Sequence, residues 1–151
     1  MARRAFAATG EEGAVTSAYT TALSLAGAAT VRPKIYDAMF SAGAAPADTV
    51  LVFALQRFSA TPTVTGVTPV ALDPAEPAAT AIAGENASAE GTYTAATELL
   101  EFDMNQRATY RWVAAPEGEL IIPATASNGI GGRVKAAAYT GPAKVLFHFA
   151  E

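Results

Sequence analysis

A chain of 151 residues is the size of one ordinary domain, long enough to bury roughly two thirds of its unfolded surface without covalent staples. Its 14 acidic and 10 basic residues leave a formal charge of -4 and no basic tract, which argues against nucleic acid or an anionic membrane as the main partner. The lack of cysteine excludes a disulfide framework, thiolate catalysis and thiolate metal sites, and no stretch nears the roughly 20 apolar residues of a membrane helix.

Residues 1–14 combine Arg3, Arg4 and Phe6 with Thr9-Gly10-Glu11-Glu12-Gly13. They read as an N-terminal arm, weakly structured alone, that orders against a neighbour. Arg3 and Arg4 ahead of the apolar residues 23–29 mimic a secretory leader, but Glu11, Glu12 and several Thr and Gly residues interrupt it. Residues 15–151 are then expected to form a single β domain. In the Thr-rich run 15–25, Tyr19, Leu23 and Leu25 fall at odd positions, which predicts a strand that Gly27 ends. Arg32-Pro33 opens a second strand over 34–41. Residues 49–58 are apolar on both faces through Leu55, as in a central strand covered on both sides; a buried helix is the competing reading.

From 59 to 86 the prolines Pro62, Pro69, Pro74 and Pro77 recur among Thr, Val and Ala. Proline cannot donate to a ladder, so this is a long excursion or edge-strand segment with a single helical turn after Pro74. Long excursions usually have a job, and contact with a neighbouring subunit is the expectation here. Arg3, Arg4, Phe6, Pro62, Pro69, Asp73 and Pro74 are accordingly the expected assembly contacts.

Leu100, Phe102 and Met104 alternate with Glu101 and Asp103, so the acidic residues, with Glu98, read as a solvated face and not as a calcium or acid-base cluster. Tyr110 and Trp112 fall on one side of the next strand, and Thr109, Arg111 and Val113 on the other. Pro116, Glu117 and Gly118 supply a turn, Pro123 stops the run 120–122, and Asn128-Gly129 is a turn signal. Runs at 133–139 and 145–149 complete about eight or nine strands with little helix. The expected fold is all-β, an antiparallel β-sandwich or barrel of jelly-roll type.

Chemistry is sparse in this sequence. His148, the one histidine, needs an orienting carboxylate and a nucleophile to act as a base, and the sequence places neither beside it. It reads as an outward-facing or interface residue. Gly129, Gly131 and Gly132 lack the Lys-Ser/Thr of a phosphate loop and read as turn and bulge glycines. Arg107 and Arg111 with Tyr110 and Trp112 mix base and aromatic as nucleic-acid platforms do, but the aromatics point together toward the core face. Asn86-Ala87-Ser88 matches a glycosylation acceptor that carries no weight without a secretory route. No catalytic, metal or cofactor-binding residue is expected.

Over most of residues 31–134 the chain resembles small virion structural proteins of tailed bacteriophages and environmental phage genomes. The likeness lies in the order of a strand, an excursion containing LDP at 72–74, RWVAAP at 111–116, IPAT at 122–125 and NGIG at 128–131. The resemblance implies a non-enzymatic capsid accessory protein that decorates or cements the outside of a head. It would bind across subunits of the major capsid protein, often as a homotrimer, after synthesis in the cytoplasm of a bacterial host. Glu117 and Glu119 depart from the pattern in the turn after RWVAAP. The alternatives are a carbohydrate-binding β-sandwich module, with Trp112 or Tyr139 stacking on a sugar, and a tail or adaptor subunit.

Overall fold

The computed structural model describes residues 3–151, which form twelve strands and no helix. In chain order these are β1 (Ala5–Glu12), β2 (Thr20–Ala26), β3 (Lys34–Ala42), β4 (Val50–Ala60), β5 (Thr63–Val67) and β6 (Val70–Ala71). They continue with β7 (Ile82–Ala89), β8 (Thr92–Asn105), β9 (Thr109–Val113), β10 (Leu120–Ile121), β11 (Gly129–Lys135) and β12 (Ala143–Ala150). The first sheet runs β10-β3-β12-β1-β6, with β9 pairing the same edge of β3 as β10; the second runs β5-β7-β2-β11-β4-β8. Set aside the short β10 and the excursion strands β5 to β7, and β1-β12-β3-β9 faces β2-β11-β4-β8. That is the strand order of an eight-stranded jelly roll, here an open sandwich.

Alternation explains the core. Phe6 and Ala8 of β1, Ile35 and Phe40 of β3, and Val145, Phe147 and Phe149 of β12 are buried from one sheet. Leu23 and Leu25 of β2, Leu51, Phe53 and Leu55 of β4, and Ile130 and Val134 of β11 are buried from the other. Phe40 and Phe53 meet across the layers with ring centroids 5.2 Å apart. Each of the larger side chains here contributes roughly 1.5–3 kcal/mol on burial, so this double row is the main source of stability.

Residues 3–14 are not an arm. β1 lies between β12 and β6, in register with β12 from Ala5 opposite Ala150 to Glu12 opposite Ala143, and Phe6 is completely buried. The period-two pattern was present in Phe6, Ala8, Gly10 and Glu12, but small residues muted it. The folded domain therefore starts at β1 and not at residue 15; residues 1 and 2 lie outside the described part.

The excursion is also ordered. β4 pairs β8 from Val50–Asn105 to Ala60–Thr92, and β5 pairs β7 from Thr63–Ala89 to Val67–Ala83. The two ladders form one ribbon, broken only at Thr61-Pro62 and Glu90-Gly91. It leaves the second sheet at β4 and rejoins it on the far side through β7, which pairs β2. Three register shifts between Leu55 and Ala60 give it the extra twist this requires. After Pro74 there is a reverse turn in place of the expected helical one: the Glu76 amide donates to the Asp73 carbonyl (3.0 Å) and the Ala75 amide to Asp73 Oδ1 (2.9 Å).

Gly129, Gly131 and Gly132 sit inside β11 and not in a turn. A Cβ at Gly129 would lie 2.2 Å from the Leu25 carbonyl oxygen, and one at Gly132 would lie 2.6 Å from Val145 Cγ1. Glycine is needed here for close approach. The expected bulge is present beside them, between Gly132 and Arg133 against β2.

Candidate functional site

The end of the first sheet where β1 begins and β12 finishes holds a cationic cleft. Arg4 and Glu151 extend the β1–β12 ladder by reciprocal backbone bonds of 3.2 and 3.0 Å, and the Arg4 guanidinium lies 2.7 Å from Glu151 Oε1. The Glu151 carboxylate also accepts the amides of Thr80 (2.8 Å) and Ala81 (3.0 Å), tying the end of the excursion to β12. Arg3, one residue earlier, turns to the other face, 4.9 Å over the Tyr36 ring and 3.6 Å from Glu119. Arg32 and Lys34 flank Pro33 at the entry to β3. Together with Glu76 these side chains line a cleft of about 540 Å³. That falls in the roughly 300–1,000 Å³ range of ligand-binding clefts. A second groove of about 390 Å³ continues past Arg3 along Tyr36 and Val113 to Pro116.

The outer face of the same sheet carries a polar strip beyond Arg3. A register shift in the β3–β12 pair sets Asp37 opposite His148 while Phe149 pairs Ile35, leaving Tyr36 as the extra residue. Tyr36 then stacks on His148 at 6.2 Å. His148 Nδ1 is 3.0 Å from Asp37 Oδ2, and Arg111 on β9 donates from Nε to Oδ1 (2.9 Å) and from its terminal nitrogen to Oδ2 (2.7 Å). The Asp37 side chain is only 3% exposed, enclosed by its partners on a face that otherwise meets solvent. The Arg111 hydrogen bond holds its carboxyl below the usual aspartate range against the opposing effect of burial, and His148 adds to the lowering. This supplies the orienting carboxylate that the sequence could not place. The histidine's one side-chain hydrogen bond among the described residues goes to Asp37.

Beneath the ribbon, Arg133 lies between the rings of Tyr19 (4.9 Å) and Tyr93 (3.9 Å) and donates to Gln56 Oε1 (2.6 Å). Thr21 bonds both Glu90 and the Tyr93 hydroxyl. Burial pushes Tyr93 up to about 12. These contacts clamp the start of β8 over the second sheet. Arg133 is largely covered, while Glu90 and part of Tyr19 reach the surface.

Comparison with family models, curated proteins and solved structures finds no match for this chain. The residues themselves must carry the reading.

Of the expected contact residues, Arg3 and Arg4 share the cleft, and the turn beginning at Asp73 and Pro74 brings Glu76 to its wall. Asp73 and Pro74 are exposed, Pro69 is half-buried and Pro62 is buried beside Gly91. Phe6 belongs to the core and cannot meet a partner while β1 stays paired. Trp112 packs inward against the core, and Tyr110 beside it meets the Phe102 ring at a tilt, with centroids 4.1 Å apart. Tyr139 is buried, with its hydroxyl 2.9 Å from the Ala44 carbonyl and 2.8 Å from that of Pro142. Of the two aromatics proposed for sugar stacking, Tyr139 is enclosed and Trp112 is half-buried. Among the described residues no group of three or more His, Asp or Glu is placed to hold a metal ion. Arg32, Lys34 and the Asp37–His148–Arg111 strip were missed in the sequence, because only strand register brings them together.

Proposed function

We propose that this chain is a non-enzymatic virion structural protein that decorates or cements a bacteriophage capsid by binding across major capsid subunits. The observation that carries the reading is the jelly-roll strand order, β1-β12-β3-β9 over β2-β11-β4-β8. Jelly rolls recur in viral capsid and lectin domains. Fold alone does not assign function; the resemblance read in the sequence of residues 31–134 favours the capsid reading over the lectin one.

The surface is consistent with assembly. Val70 (66% exposed), Leu72 and Ile82 leave apolar side chains in solvent around the excursion, where a neighbouring subunit would cover them. Self-association into a homotrimer would use the same kind of surface. The test is to mix purified protein with capsids that lack it and follow co-sedimentation, with mass photometry of the free protein alongside. Saturable binding and a discrete oligomer are expected. A strict monomer that fails to bind capsids would overturn the reading.

A further inference from the structure

The cationic cleft holds charge that its own carboxylates do not use. Glu151 is saturated by Arg4 and the amides of Thr80 and Ala81. Glu119 stands 3.6 Å from Arg3, beyond a direct hydrogen bond, and leaves that side chain 55% exposed. Arg32 and Lys34 are exposed and form no ion pair among the described residues. Arg32 and Lys34 therefore present unpaired cations, with Arg3 only loosely engaged by Glu119, in a chain whose formal charge is -4.

These cations stand on a rigid frame. Pro33 between Arg32 and Lys34 is buried, and its carbonyl accepts the Ile122 amide at 2.8 Å. The preceding turn is closed by reciprocal bonds between Ala28 and Val31, and the Lys34 backbone is paired on both sides, to Ile121 and Ala150. A site built this way loses little backbone freedom on binding.

The geometry points to a recognition site for a carboxylate-bearing segment of a partner polypeptide. Glu76 and Glu119 in the wall oppose a densely charged polyphosphate, while carboxylates spaced by uncharged residues can alternate with them. Val31 and Ala150 supply apolar lining for the residues between the charges. The incoming carboxylate competes with Glu119 for Arg3. The inference does not depend on the virion reading, since it concerns only what the cleft accepts.

Fluorescence polarisation of the full chain with a labelled peptide of alternating Glu and Ala tests it. Saturable binding that weakens with salt is expected. The double variant R32E/K34E should bind about tenfold more weakly, as expected for two partly exposed charge contacts, with an unchanged thermal midpoint. Arg107→Glu, on the turn between β8 and β9, should leave affinity unaltered. Glu119→Gln should tighten binding about twofold by releasing Arg3, whereas Glu117→Gln, an equal change in net charge, should not. No saturable binding at low salt, equal loss with Arg107→Glu, or tighter binding of polyphosphate or an oligonucleotide than of the peptide would each overturn the assignment.

Discussion

Asp37 and Glu12 are both buried carboxylates, and their surroundings push them in opposite directions. Asp37 is paired with Arg111 and His148 and is held below the ordinary range. An unfolded aspartate titrates near 3.9, so the stability Asp37 contributes is fully present above that pH and is lost as pH falls through the lower folded value. Asp37→Asn should reduce the urea midpoint at pH 7, with the difference from the parent shrinking as pH falls below the unfolded value. A constant offset across that range would show that the loss is steric. Glu12 is raised, first by burial and then by the charge of Glu90, with the Ala14 amide pulling the other way; its Oε2 has no hydrogen-bond partner. Here stability is greatest when the group is protonated and falls as pH rises from the unfolded value, near 4.3, through the folded one. Glu12→Gln should therefore raise the thermal midpoint by a few degrees at pH 7, with the gain gone near pH 4. A lower midpoint at pH 7 would contradict this.

At the scale of elements, β1 decides how the chain's beginning is understood. Because Phe6 stacks on Phe149 at 5.6 Å inside the core, Phe6→Ala should cost roughly 3–5 kcal/mol in urea unfolding. Removal of residues 1–10 should abolish cooperative folding. A truncated domain with an unchanged midpoint would restore the arm. Strands built on large alternating side chains were legible in the sequence: Val145, Phe147 and Phe149 in β12, Leu100, Phe102 and Met104 in β8, the doubly apolar β4, and Trp112 turned toward the core. β1 was not, since Ala7, Ala8, Thr9 and Gly10 give period-two alternation almost no contrast. The Asn128-Gly129 signal misled for a related reason: glycine that permits a turn also permits the close approach of Leu25 that β11 requires. The polar strip depends on which residue of β3 faces which residue of β12, and a register containing a bulge is invisible in one sequence.

Over the whole molecule, charge and apolar surface are unevenly placed. A chain of formal charge -4 gathers Arg3, Arg4, Arg32 and Lys34 at one end of the sandwich, close to the turn of the excursion. Val70 and Leu72 expose apolar surface on the same excursion. Its phenylalanines mostly fill the core, while these cations and the side chains of Val70 and Leu72 stay outside. The most direct measurement is the position of this chain in intact particles of the phage proposed to carry it, by cryo-electron microscopy at a resolution that traces strands. Jelly-roll density on the outer capsid surface, bridging major capsid subunits, is expected. Density confined to the tail, or particles that lack the chain altogether, would contradict it.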